Sequence, residues 1–450
     1  MLNRTMSRRE FLSSSATMGV SFAALGTFLS SCAVTGERKG AQGSSAISMA
    51  INESPWLRAF EEITRVYREE TGNMVNLQVF TFEGLQSKEL NAVDARTGEF
   101  DLFTMFEGWY GSFFDSEFLT PLQDLDPDFE WPQEVITFNN VGRWNQNERY
   151  FSEDGTPFAL PINGNMQLLF YRQDLYDEMG LDPPTTWDEA ITAASTVGDT
   201  HSDVYGYTLR GQGGGSAVTF DFLPLLRGFG GDFFANPPED WSVTINDDAG
   251  QQAIELFMEL LSYGPSEPEN IGQAEVISLM QSGRALQAHL VSAAALQMDE
   301  EAESTVPFEI NYTVVPRPSD GVHAPTAGPA LMGIPTHIGD AQKQVAYDFL
   351  TWFMQQDAQT QYTRAGGSPV NRNVYESDLA EGTEFRYMQA ATESLPHLHL
   401  AVAYPFAPEL LEVTEQRLNE IAAGLLEPKE GLDTIASEIA TVVEEAGFSS

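Results

Sequence analysis

The chain has 450 residues, 42% of them hydrophobic, with 29 Phe and 7 Trp, which supplies packed cores and excludes a globally disordered protein. That length exceeds one ordinary core and implies two or three folding units. Against 23 Lys and Arg stand 66 Asp and Glu, a net charge of −43, which excludes nucleic acid and acidic membrane surfaces as partners because both need cationic contacts.

Only Lys39, Lys88, Lys343 and Lys429 are lysines, and the acids are scattered along the whole sequence. A hydrated carboxylate surface of this kind fits a high-salt, halophilic habitat, where a Debye length of about 3 Å screens self-repulsion. The single cysteine, Cys32, permits no intramolecular disulfide and no thiolate metal cluster.

The chain opens on Ser7, Arg8, Arg9, Glu10, Phe11 and Leu12, then a mildly apolar stretch over 16–29, then Leu29, Ser30, Ser31 and Cys32. This order resembles a twin-arginine export signal joined to a lipoprotein processing box. The resemblance implies removal of residues 1–31, lipidation at Cys32 and a membrane attachment through that lipid. Residues 32–46 then form a flexible tether rich in Gly and Ser.

The body begins with a short strand over 46–51, ending at Asn52 and Glu53. Pro55 opens a helix whose Trp56, Phe60, Ile63 and Tyr67 recur at helical spacing before Gly72. Val75, Leu77 and Val79 alternate as a second strand, and Leu85, Leu90 and Val93 mark a second helix. Residues 100–105 form a third strand, with Glu107, Trp109 and Tyr110 just beyond it. Alternating strand and helix predicts an α/β lobe with a largely parallel sheet. Ligands then bind beyond the carboxyl ends of its strands, which nominates Glu53, Glu107 and Trp109.

Residues 153–172 are read as a turn and two strands. Phe158, Leu160 and Ile162 alternate on one face, Pro161 interrupts that run, and Asn163, Gly164 and Asn165 precede the apolar Leu168, Leu169, Phe170 and Tyr171. A central strand should not contain proline, so the stretch reads either as a crossover between two lobes or as a hairpin followed by a separate strand.

Further on, Thr186, Trp187, Asp188 and Glu189 form a capping box, and residues 205–209 a strand. The glycines of 211–215 have neither the lysine of a P-loop nor a dinucleotide fingerprint, so phosphate binding is not expected. Asp221 lies at the start of a helix. Residues 241–246 form a strand, and Asp247 and Asp248 cap an amphipathic helix. His289 lies in an apolar strand, residues 312–316 are a second proline-broken crossover, and Arg372 follows the turn at Gly366, Gly367, Ser368 and Pro369.

These features fall in the order seen in the family 1 extracellular solute-binding proteins, the sugar-binding receptors of ABC importers. The resemblance runs over about 47–375. It rests on Phe100 and Asp101; Phe118, Leu119, Thr120, Pro121 and Leu122; Pro161 and Ile162 with Phe170 and Tyr171; Pro184 through the capping box; Gly230 and Gly231; Gly328, Pro329, Ala330 and Leu331; and the Gly366 turn. It implies a two-lobed α/β periplasmic binding protein-like fold (type II), with 47–161 and 314–355 in one lobe and 162–313 and 356–450 in the other. Three hinge crossings fall near Ile162, near Thr313 and after the Trp352 helix. It also implies a monomer that takes a mono- or oligosaccharide, or a polyol, into the cleft and delivers it to membrane permease subunits from the outer face of the cytoplasmic membrane, in periplasm or at the cell surface.

Carried to this chain, the site comprises Glu53, Glu107, Trp109, Asn163, Asn165, Asp221, His289 and Arg372. Planar acceptors and donors suit sugar hydroxyls, and an aromatic face suits C–H surface. Each residue has a plainer role open to it: His289 as a core histidine, Asp221 as a helix cap, Arg372 in a salt bridge. Residues 286–292 lack the methionine and Gly-aromatic pair that many members carry, so the stacking ring is Trp109, Trp241 or Tyr404. Asn163→Leu is expected to weaken binding and spare the fold. The alternative is a secreted saccharide hydrolase built on paired carboxylates. The chain has no His-Glu-x-x-His or Gly-x-Ser-x-Gly motif, and neither a catalytic role, a cofactor nor a metal is expected.

Overall fold

A computed structural model describes residues 45–448 apart from Ser216. The export signal, Cys32 and nearly all of the tether lie outside the described residues. Ala46, the last residue assigned to the tether, already belongs to β1 (Ala46–Asn52).

α1 (Leu57–Thr71) buries Phe60, Ile63 and Tyr67 at helical spacing and stops at Gly72, whose φ of 78° is the left-handed cap. It begins at Leu57, two residues after Pro55. It returns the chain to β2 (Met74–Phe80), which pairs in parallel with β1 from Ala46↔Met74 to Asn52↔Phe80. α2 (Phe82–Ala95) is capped by the Thr81 side chain. β3 (Phe103–Met105) follows, reached through the parallel bridge Met49↔Leu102, and then α3 (Tyr110–Asp115).

β4 (Ala159–Asn163) and β5 (Gln167–Arg172) belong to different sheets, so the chain crosses between them. The expected alternation in β4 is absent: all five of its residues are buried, because both faces are covered. In the second sheet β5 lies between β6 (Gln287–Val291) and β7 (Ile310–Thr313), antiparallel to both. Helices α4 (Trp187–Thr200), α5 (Ala217–Gly228) and α6 (Asp248–Ser262) surround it. Thr186 and Glu189 close the capping box on α4, worth about 1 kcal/mol. Residues 205–209 contribute only the bridges Tyr205↔Ala285 and Thr208↔Ala288, not a full strand.

The chain returns through β8 (Thr326–Ala327) to β9 (Ala330–Gly333), which is antiparallel to both β3 and β4. The first sheet is therefore mixed and not largely parallel. β9 arrives from the other lobe, not through a βαβ unit, and no parallel crossover constrains its direction. The β9–β4 register shifts between Ala330 and Leu331, next to Pro161, whose missing N–H cannot serve the ladder.

α7 (Asp340–Phe353) and α8 (Gln356–Arg364) follow. Tyr362 of α8 packs 5.8 Å from Phe60 of α1, and Asn371 bridges Val135, so the chain stays against the first lobe beyond the end of the Trp352 helix. β10 (His399–Leu400) pairs in parallel with β8. α9 (Ala407–Ala422) and α10 (Pro428–Glu445) finish the second lobe.

β5 explains how the lobes share material. Its alternation points Leu168 into the cluster holding Ile51, Phe60 and Ile162, and Leu169 into the cluster holding Tyr207, Phe257 and Leu432. The first of these clusters also holds Ala288, Leu290 and Ile310 of the second sheet, so apolar packing is continuous across the crossing.

Candidate functional site

The carboxyl ends of β2 and β3 bring Phe82, Glu107 and Trp109 to one wall of a cleft of about 600 Å³. Gly213, Gly214 and Gly215, with Glu415 and Asn419 of α9, form the other wall. Small-molecule sites occupy roughly 300–1,000 Å³ and favour such strand ends.

Trp109 is only 5% exposed. It packs 5.1 Å from Phe82 and 5.4 Å from Phe106 between ring centroids, yet its indole Nε1 has no hydrogen-bond partner. Buried indole N–H groups usually find one. Glu107 is half-buried, and its Oε2 is likewise unpartnered. Burial raises its carboxyl above the usual range, opposed by its own backbone amide and by Arg210.

Across the cleft, Glu415 is buried and accepts hydrogen bonds from the backbone N–H groups of Gly214 and Thr219, both at 2.9 Å. Burial pushes its carboxyl up to about 7 in spite of those bonds. Gly214 and Gly215 have φ of 94° and 64°, a conformation that glycine adopts without strain.

Beneath the cleft, Gly328 lets the lobes meet. A Cβ there would stand 2.9 Å from Glu107 Oε2 and 3.0 Å from the Phe220 ring, and its N–H donates to the Asn165 carbonyl at 3.0 Å. Arg210 lies over that same Phe220 ring, 5.0 Å from its centroid. Its backbone N–H and Nε each donate to the Asp221 carboxylate at 2.8 Å, and Nη2 adds a third bond. His289 completes the group, with Nε2 3.5 Å from Asp221 and Nδ1 2.9 Å from the Tyr207 hydroxyl. Burial alone would raise the Asp221 carboxyl, but Arg210 and His289 outweigh it and hold the group down at about 2.

Of the eight residues nominated from sequence, the cleft walls contain Glu107 and Trp109. Asp221 and His289 are brought together, fully buried behind the second wall. Asn163 is fully buried in the hinge, where its Oδ1 accepts from the Tyr362 hydroxyl at 2.8 Å and the Ser368 N–H at 2.9 Å. Asn165 lies beside it with Oδ1 unpartnered. Glu53 is exposed at the end of β1, its N–H bound to the Phe80 carbonyl. Arg372 is exposed on the far side of the Asn371–Val135 bridge, its backbone tied to Glu134. Trp241 and Tyr404 pack on each other at 5.5 Å within a buried aromatic group with Phe234 and Phe406, so Trp109 is the member of the three that lines the cleft.

Glu415, Arg210, Phe82 and Asn419 escaped the sequence reading. Glu415 had a signal: it shares one helical face with Leu411, Thr414 and Leu418, all buried, and a carboxylate on an apolar stripe is anomalous. Arg210 and Asn419 had none, because their partners are distant in sequence.

With this geometry in hand, the profile of the family described as bacterial extracellular solute-binding protein matches residues 47–360. The chain belongs to that family. It is 23% identical over 330 residues to the mannitol-binding protein of Pseudomonas aeruginosa, covering 70% of each chain. The fold matches a ribitol complex of an ABC transporter solute-binding protein from Agrobacterium radiobacter K84, with TM-score 0.74, 20% identity, and 88% and 98% of the two chains covered. It also matches maltose-bound MalE3 of T. maritima, with TM-score 0.77, 19% identity, and 88% and 99% covered. The two-lobed α/β architecture is that of these binding proteins. Among the described residues no helix is long and apolar enough to cross a membrane.

Proposed function

We propose that this chain is the receptor of an ABC importer for a sugar or polyol, closing its two lobes on the ligand and presenting it to the permease subunits. The observation that carries this reading is the placement of Trp109 and Glu107 on one wall of an interlobe cleft, facing Glu412 and Asn419 on the other. Carboxylate and amide side chains bond the hydroxyl groups of a ring or alditol, and an indole face covers C–H surface. Relatives that bind mannitol, ribitol and maltose support the ligand class.

In the same reading the lobes are 47–163 with 326–371, and 167–313 with the remainder, joined by three crossings. The packing of α8 on α1 supports drawing the third boundary beyond 355. The chain is exported by the twin-arginine route, processed before Cys32 and anchored there by lipid, and it acts as a monomer in a salt-rich environment without catalysing a reaction. A Cys32→Ala variant should leave the membrane fraction; retention there would remove the anchor.

The deciding experiment is a thermal-shift screen of sugars and alditols on the mature protein in molar KCl, with recovery of the ligand afterwards. A receptor gains stability with one class by mass action and returns it intact. A second reading, hydrolysis, is favoured by Glu107 and Glu415 sharing one cleft. Release of reducing ends from a bound oligosaccharide would establish it and overturn the first.

A further inference from the structure

Resting on the receptor reading, we infer that Glu415 is a positioning residue for ligand binding. With Asn419 one turn further along α9, it fixes the glycine loop over 211–215 as a preformed wall of the cleft.

That wall has no side chains of its own to hold it. Gly213, Gly214 and Gly215 all line the cleft, and a Cβ on Gly214 or Gly215 would meet nothing within 4 Å. Glycine loses more backbone freedom on ordering than any other residue. A free loop of this composition would have to be ordered by the ligand, at a cost in affinity.

α9 supplies the missing anchors. Asn419 Nδ2 donates to the carbonyls of Gly211 at 2.8 Å and Glu269 at 2.9 Å, which fixes the base of the loop. At the tip, Glu415 Oε2 accepts the Gly214 N–H and Oε1 accepts the Thr219 N–H, both at 2.9 Å. Between these ties Gly213 lies close against the helix. A Cβ there would stand 3.1 Å from the Glu415 carbonyl oxygen and 3.2 Å from Asn419 Cβ.

The Thr219 bond alone would be an ordinary helix cap, since the first N–H groups of α5 lack an intrahelical acceptor. The Gly214 bond has no such purpose: it ties down a residue that precedes α5 and lines the cleft. Glu415 is 5% exposed, and an apolar residue at that place would escape the desolvation of a carboxyl group. What the carboxyl group adds is two acceptors for the backbone of the cleft wall. With both oxygens so engaged, it acts on the ligand through the loop.

The test measures binding and amide hydrogen exchange on the mature protein in molar KCl at pH 8. The probe is the tightest binder among the sugars and alditols of the thermal-shift screen, with glucose, maltose, mannitol and ribitol in the panel. Glu415→Leu removes both acceptors and should weaken that probe at least tenfold by calorimetry. Exchange over 211–219 should become at least tenfold faster, with the first lobe unchanged. Glu415→Gln keeps one acceptor oxygen and should bind at least threefold tighter than Glu415→Leu. A residue that merely stabilises the fold would lower the unfolding temperature and leave the Kd of the folded protein as it was. That result, unaltered exchange over 211–219, or equal affinities of the Gln and Leu variants overturns the inference and leaves the receptor reading standing. Should Glu415→Leu not fold, Asn419→Ala takes its place: a threefold loss of affinity is expected, and an unchanged Kd overturns the inference. Failure of the whole panel to bind the wild type overturns both.

Discussion

The Tyr362 hydroxyl donates a hydrogen bond of 2.8 Å to Oδ1 of Asn163, a residue 199 positions earlier. Both side chains are fully buried, and Ser368 adds its N–H to the same oxygen. The last residue of β4 is thereby fastened to the end of α8 at the point where the chain leaves the first lobe. Asn163 is a hinge fastener in this structure, and its contribution is to stability before it is to ligand contact.

Asn163→Leu should accordingly destabilise the protein. It leaves the Tyr362 hydroxyl and the Ser368 N–H buried without an acceptor, each costing about 1–3 kcal/mol. Urea unfolding should show a loss of roughly 2–5 kcal/mol. A midpoint equal to wild type would show that the fastener does nothing.

Trp109→Phe keeps the packing against Phe82 and Phe106 but deletes the unpartnered Nε1. We expect affinity for the cognate sugar to fall at least tenfold, about 1.4 kcal/mol, while the unfolding temperature stays near wild type. Calorimetric titration reads the first and differential scanning fluorimetry the second. An unchanged Kd would take Trp109 out of the site.

Asp221 titrates near 2 in the folded chain, below its unfolded range. The linked stability is present above about pH 4 and is lost as pH falls toward 2. Asp221→Asn should flatten part of that acid limb and, by stranding buried Arg210, cost roughly 3–5 kcal/mol at neutral pH. Denaturant midpoints across pH 2–7 in both proteins would measure it, and parallel acid limbs would contradict the assignment.

Glu415 behaves in the opposite sense. Its carboxyl rises from 4.5 to about 7 on folding, so the folded chain holds a proton that the unfolded chain has released. That stabilisation is complete below about pH 4.5 and is lost as pH rises through about 7, on the order of 3 kcal/mol. In Glu415→Gln the decline between pH 5 and 8 should shrink. Equal declines would place the titration elsewhere.

Much of the scaffold was legible locally. The Thr186–Glu189 box, the Asp247 cap and the Phe60, Ile63 and Tyr67 stripe are short-range patterns, and each appears where chemistry within one or two turns dictates. Pro161 flagged the first crossing because a missing N–H is visible in any sequence. Glu107 and Trp109 were found because a strand end is a local feature and ligands gather there.

Other features were invisible from one strand at a time. The antiparallel return of β9, the attachment of α8 to α1 and the union of Arg210, Asp221 and His289 all depend on partners far along the chain. Exposure of Glu53 and Arg372 is of the same kind, since a loop's position does not state which way its side chain faces.

By itself, then, the sequence determined most of the helices and strands, the crossing marked by Pro161, the family and the strand ends that face the cleft, because periodicity, capping and backbone chemistry act over a few residues. Only the tertiary structure decided which polar groups satisfy one another and which are left for a ligand. Hydrogen bonds and desolvation depend on distances between segments up to about 200 residues apart, and no local pattern encodes those distances.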